Sequence, residues 1–271
     1  MFTIAKIEIL IARRNMWVTV SVVLMALFSV VLTLTGGAPT GTLGVDPLII
    51  ATSSITTLSV YFIPLVALLL AFDAISGEIE RGTLALSLTY PLSRAQILLG
   101  KFIAHFLVLA FAIGVGLLLS GTLAVIKNGG ATGLSFTPLL WLFFTSLMLG
   151  ATFLGLGYLI SALVRQPSAA SGLAIVVWLV FVVLYDIILL GALVGDKGGF
   201  FSDNIFPFLL VANPSDAFRL LNMPEMGSKE LTSGISAAGD ISGRLGQLIS
   251  LFLWPILALF LAWLKLKRIE S

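Results

Sequence analysis

Six stretches of the chain are each long and apolar enough to cross a hydrocarbon layer: 16–34, 49–72, 102–125, 139–164, 169–190 and 245–264. A bilayer core about 30 Å thick needs about 20 such residues in one helix. No water reaches the backbone there, so each segment must satisfy its own donors and acceptors, which a helix does. The expected fold is therefore all-α: a polytopic membrane protein with six transmembrane helices, residues 1–271 forming a single transmembrane domain. Composition closes the soluble alternative. Of the residues, 59% are apolar and only 10% charged, with mean hydropathy +1.12, against about 25% charged in soluble domains.

Lys6, Arg13 and Arg14 precede the first stretch and no small-residue cleavage site follows it. It is expected to be a retained helix rather than a cleaved signal. Lys and Arg in the connections set the orientation. The N-terminal tail, the segment containing Arg81, Arg94 and Lys101, the turn at Arg165 and the tail with Lys265, Lys267 and Arg268 place ten cations on one side. The other side receives five: Lys127, Lys197, Arg219, Lys229 and Arg244. Both termini are thus expected in the cytoplasm of a bacterial cell, with a long outer loop over about 195–244 of an inner-membrane protein.

The side chains exclude several chemistries. The chain has no Cys and one His, His105, so thiolate sites, Fe–S clusters and multi-His metal cages are not expected. A net charge of +2 does not suit a nucleic-acid binder. No phosphate-loop pattern occurs; Gly100-Lys101 is followed by Phe102 and lacks the upstream Gly. If ATP is used, another chain hydrolyses it, and this chain is not expected to be an enzyme.

Small residues spaced by four, Ala151/Gly155, Gly157/Ser161 and Gly116/Ser120, suit close helix packing, within the chain or across a dimer seam. Pro64 and Pro255 fall inside the second and last helices, where each removes a backbone hydrogen bond.

The connection between the second and third stretches is nearly thirty residues long, about 73–100, where four to six would suffice. Asp73, Glu78, Glu80 and Arg81 cluster directly beyond a membrane helix, with Gly77 and Gly82 permitting tight turns. Leu84, Leu86 and Leu88 follow, and Pro91 stops that segment. Ser93-x-x-Gln96 reads as a capping box opening a new helix toward Gly100-Lys101. Both charge signs within one helical turn favour a docking surface over a passive link.

Gly77-Glu78-x-x-x-Gly82-Thr83-Leu84, followed by Tyr90-Pro91-x-x-Arg94 and Gly100-Lys101, resembles the signature of ABC-2 type transporter permeases. More narrowly, the chain is similar to the permease subunits of the copper-processing ABC systems that mature nitrous oxide reductase. Asn213-Pro214-Ser215-Asp216-Ala217-Phe218-Arg219 matches that narrower group, as do the six spans and the long last outer loop. The resemblance implies a homodimer carrying two cytoplasmic ATPase subunits, with ATP and Mg bound there and no cofactor on this chain. It also implies a periplasmic solenoid subunit and a copper-chaperone lipoprotein. By the same resemblance the segment after the second helix is a coupling helix seated on the ATPase. Its coupling residues are Glu78, Glu80, Arg81, Gly82, Thr83, Tyr90, Pro91 and Arg94. A general ABC-2 exporter of a drug, lipid or other hydrophobic compound is the alternative. A secondary carrier would show paired repeats with broken helices.

Other residues carry two readings each. Asp186, after Tyr185 in the fifth stretch, is a pathway residue or an interfacial carboxylate near the aromatic belt. Thr52, Thr56 and Ser59 share a helical face that lines a pathway or satisfies backbone carbonyls. His105 is a proton or metal group, or is packed among its neighbours. Met223-Pro-Glu-Met226 invites a copper reading, but two thioethers without Cys or His make a poor site, so no metal ligand is assigned. In the outer loop, Asn213 followed by Pro214 is a helix start. The apolar residues beyond it are expected on the membrane interface, with Asn213, Asp216 and Arg219 contacting the periplasmic partner.

Overall fold

The computed structural model describes residues 47–83, 93–127, 136–196, 199–222 and 233–268, with isolated positions between 23 and 34; at 47–51, 54, 203 and 233–242 only the backbone is described. Most of the first apolar stretch, Tyr90, Pro91 and Met223–Met226 lie outside the described residues. The described elements are all helical: α1 (Pro47–Ala71), α2 (Ser76–Glu80), α3 (Arg94–Lys127), α4 (Thr137–Leu163), α5 (Pro167–Asp196), α6 (Phe206–Ala212), α7 (Pro214–Asn222) and α8 (Ser233–Lys267). Among the described residues, five helical stretches are long and apolar enough to cross a membrane, ending respectively at Glu80 (α1 continued into α2), Lys127, Leu163, Asp196 and Lys267.

The bundle is built around α4, which packs most extensively on α8 and α1 and then on α3. Its apolar residues run round the whole circumference rather than along one stripe, as a central helix requires. Small residues bring each neighbour close. A Cβ on Gly155 would lie 3.1 Å from Ala258 Cβ of α8, and one on Gly157 would lie 2.7 Å from Ala71 Cβ of α1. On Gly150 it would collide with the Leu109 side chain of α3. The spacing of small residues on this helix thus serves packing within the chain. Pro64 and Pro255 lie inside α1 and α8 as expected.

The ends differ from the sequence expectation. The third span starts not near 102 but at the capping box. The Ser93 amide donates to Gln96 Oε1 at 3.0 Å and the Gln96 amide to Ser93 Oγ at 3.2 Å. From there α3 runs 34 residues without interruption, about 51 Å at 1.5 Å per residue, well beyond a hydrocarbon core. The described residues of the region expected as an outer loop are largely helical, forming α6, α7 and the first part of α8. In α8 the break falls at Gly243, where φ 61° and ψ 160° leave the helix, a conformation open to glycine.

Candidate functional site

The polar chemistry gathers at the two ends of the bundle. At one end α2 follows α1 after a four-residue turn. Its first residues have no side-chain cap of their own. Ser161 of α4 supplies it: Ser161 Oγ accepts from the amides of Ile75 and Ser76, both at 2.9 Å, and lies 3.2 Å from Ser76 Oγ. Ile75, Ser76 and Ser161 are buried, so water cannot replace that acceptor. At its other end α2 stops at Gly82, whose φ of 69° is the left-handed geometry that closes helices. The Gly82 amide donates to the Ile79 carbonyl at 3.1 Å. Gly77 does not form a turn; it sits inside α2 with the Arg81 guanidinium over it.

A second tie crosses to α3. Glu78 Oε1 meets Lys101 Nζ at 3.0 Å, with the side chains 16% and 7% exposed. A pair so shielded is costly to break, because removing one partner leaves a buried charge. A third tie reaches α8: the Arg94 guanidinium donates to the Leu266 carbonyl, one of the unpaired acceptors that end that helix. Of the residues expected to couple, the structure ties Glu78 to α3 and Arg94 to α8, while the tie to α4 is made by the Ile75 and Ser76 amides. Thr83 Oγ1 lies 3.4 Å from the Glu78 carbonyl, and Glu80 and Arg81 remain exposed.

At the opposite end Asn213 caps α7 as its sequence indicates: Asn213 Oδ1 accepts from the Ser215 amide at 3.0 Å. Its Nδ2 donates to Asp216 Oδ2 at 3.0 Å and to the Phe181 carbonyl at 2.8 Å. Phe181 lies in a π-helical stretch of α5, Val180–Leu184, where the altered hydrogen-bond ladder presents carbonyls to outside donors. Arg219 Nη1 donates at 3.0 Å to both Asp186 Oδ2 of α5 and Asp216 Oδ1. Two carboxylates thus share one guanidinium. Burial, and then the charge of Asp186, push the Asp216 carboxyl up to about 8 against the pull of Arg219.

This geometry corrects the expected display of α7. Asn213 and Asp216 are 2% and 1% exposed and face inward, because the cap and the hydrogen bonds from Asn213 and Arg219 to Asp216 hold them there. Only Arg219 of the three keeps partial access, at 30% for its side chain. The apolar face of α7 is also buried: Ala217, Phe218 and Leu221 pack into the bundle rather than on a membrane surface. The helix is fastened to α4 by Trp141 Nε1, donating to the Leu221 carbonyl at 3.0 Å, and by Thr145 Oγ1, 3.0 Å from Asn222 Oδ1. Trp254 of α8 donates to the Ala212 carbonyl at 2.8 Å.

The remaining candidates are internal. Asp186 is ion-paired, as above. Thr52, Thr56 and Ser59 are buried, with Thr56 Oγ1 donating to the Thr52 carbonyl at 2.8 Å, as hydroxyls do in membrane helices. His105 Nδ1 lies 2.7 Å from the Tyr158 hydroxyl. Among the described residues no three His, Asp or Glu side chains converge as a metal site. Sequence reasoning missed Ser161 as the cap of α2. Its only signal was the spacing from Gly157, which states packing but not hydrogen bonding.

The chain matches the family described as ABC-2 family transporter protein over residues 2–269. It is 37% identical over 270 residues, 98% of either chain, to the "Probable ABC transporter permease protein NosY" of Stutzerimonas stutzeri. It is 39% identical over 266 residues, 96% of this chain and 95% of the other, to the protein of the same description from Pseudomonas aeruginosa.

Proposed function

The chain belongs to the ABC-2 family of transporter permeases, and from that premise we propose that it serves the maturation of nitrous oxide reductase, coupling ATP hydrolysis on a separate subunit to transport or conformational signalling across the membrane. It works as a homodimer of six-span subunits with both termini in the cytoplasm. The segment 73–100 seats an ATPase that binds ATP and Mg. A periplasmic solenoid subunit and a copper-chaperone lipoprotein complete the assembly on the Arg219 side.

The observation that carries the coupling role is the triple anchorage of this segment. Ser161 holds α2 to α4, Lys101 ties Glu78 to α3, and Arg94 reaches the end of α8. A push on α2 is passed to helices rather than absorbed in a loop, which is what rigid-body switching needs. The assignment to nitrous oxide reductase rests on the resemblance of the Asn213–Arg219 motif and on the two NosY relatives.

A second reading has one observation of its own. A groove of about 740 Å³ between α3 and α4 is lined by Leu117, Leu118, Val125, Leu139 and Phe143 with almost no polar surface. That suits an exporter of a hydrophobic compound. Affinity purification from native membranes in mild detergent, with mass spectrometry of co-purifying chains, separates the readings. An ATPase together with a periplasmic solenoid subunit supports the maturation role. An ATPase alone favours the exporter, and neither, in a detergent shown to preserve such complexes, rejects both.

A further inference from the structure

A cavity of about 300 Å³ opens beside α2, bounded by Ile79, by Leu163, Val164 and Arg165 where α4 gives way to α5, and by Lys265 and Arg268 at the end of α8. Three cations from two elements line it, and no carboxylate does among the described residues. The nearby acidic groups of α2 do not line it: Glu78 is paired with Lys101, and Glu80 is exposed. One reason for basic residues at a helix C-terminus is compensation of its dipole. Lys267 fits that reading, stacked 3.6 Å above the Trp263 ring. Lys265 and Arg268 instead face the cavity, opposite Arg165.

The surroundings identify what such a cavity takes. It lies where two membrane-crossing helices end, the depth at which lipid headgroups begin. Along α8, Leu257, Leu261 and Leu264 are exposed and fall at i, i+4 and i+7, one helical face. Arg268 follows in the turn just past the end of α8. An apolar stripe that ends in a basic pocket matches an acyl chain below a phosphate.

We propose that this cavity binds the phosphate of an anionic phospholipid, held by Arg165, Lys265 and Arg268, with an acyl chain along Leu264, Leu261 and Leu257. The bound lipid bridges α2, the α4–α5 turn and the end of α8. This inference is independent of the transported species.

The test uses the full-length protein, delipidated in a neutral detergent and titrated with phosphatidylglycerol or with phosphatidylcholine of the same chains, bound lipid being counted by native mass spectrometry. Phosphatidylglycerol is expected to be retained at least about tenfold better, since each nearby cation favours an anionic headgroup by a factor of about five. K265Q should lower that preference about fivefold, whereas K267Q, the same charge change on the same helix end, should leave it within about twofold. Equal losses in K265Q and K267Q would reduce the effect to general interfacial charge and overturn the site, as would equal retention of the two lipids. Inorganic phosphate provides the remaining arm. Phosphate that binds the wild type but not R165Q, without being displaced by phosphatidylglycerol, would assign the pocket to free phosphate and refute the lipid.

Discussion

Replacing Ser161 by Ala tests the anchorage of α2 most directly. The substitution removes one oxygen and adds nothing, so the packing between α4 and the α1–α2 turn is nearly unchanged. Two amides, of Ile75 and Ser76, lose an acceptor at 2.9 Å each. Neither has another acceptor within the backbone, and both residues are buried, at 3% and 0% exposure. The Ser76 hydroxyl keeps its bond to the Phe72 carbonyl at 3.0 Å, so it adds little to the cost. Each orphaned buried amide costs about 1–3 kcal/mol, giving about 2–6 kcal/mol for the pair. That cost falls on the local opening of α2, because α4 keeps its own ladder. Taking the low end, 2 kcal/mol is about a 30-fold change in an opening equilibrium.

Hydrogen exchange of the detergent-solubilised protein, read on peptides covering residues 72–83, measures this. In S161A those amides should exchange at least about 30-fold faster, while peptides from the interior of α4 stay within about threefold. S171A is the control, since the Ser171 hydroxyl bonds the Ser168 carbonyl within its own turn of α5. A change below about threefold in the 72–83 peptides would refute the claim that Ser161 holds α2.

Three further outcomes follow from the same structure. K101M should destabilise the solubilised protein by about 3–5 kcal/mol by stranding the Glu78 charge, and E78Q/K101M should recover most of that in thermal melts; a double variant as unstable as K101M would show that the pair is not the cause. G157A should cost about 1–3 kcal/mol by forcing α4 away from Ala71, whereas G172A, whose added Cβ meets open space on α5, should be neutral or slightly stabilising; similar melting temperatures for the two would contradict the close approach. Because the folded-state Asp216 value of about 8 lies above its ordinary 3.8, the folded chain binds the extra proton, and this contribution is fully present below about 3.8 and is lost as pH rises through 8. Wild-type melting temperature should therefore fall relative to that of D216N between pH 5 and 9, and parallel curves would exclude a raised Asp216.

What could be read from the sequence was what neighbouring residues decide. The Ser93/Gln96 box and the Asn213-Pro214 start each involve groups within three residues, and both form as their spacing indicates. Five of the six hydrophobic runs fall on helices among the described residues, but their ends were misjudged, because a helix such as α3 continues past the apolar region once a cap begins it. Pairings across the fold were not legible. Ser161 meets Ser76 across 85 positions, and Arg219 reaches Asp186 across 33. In each case the chain states that a polar group lies among apolar ones, but only the packing of helices selects its partner. For the same reason Asp216 looked like a surface charge: its neighbours in sequence suggest an amphipathic helix, and nothing local reveals that Arg219 and Asn213 fold it inward.

The position of α4 links the two ends. Ser161 near its last turn holds the start of α2, and Trp141 and Thr145 near its first turns hold α7. From Trp141 to Ser161 the helix rises about 30 Å, close to the thickness of a hydrocarbon core. Over that length it contains no Pro and no break in its backbone, while α1 and α8 each carry a Pro inside. Gly150, Gly155 and Gly157 seat it against three neighbours at contact distance. Such packing resists sliding, because even small displacements drive backbone or methyl groups into one another. A displacement of α2 therefore moves α4 as a rod, and α7, with its Asp186–Arg219–Asp216 cluster, moves with it. The two charge-bearing ends therefore form one mechanical unit, whether the moving part opens a passage or works only as a lever.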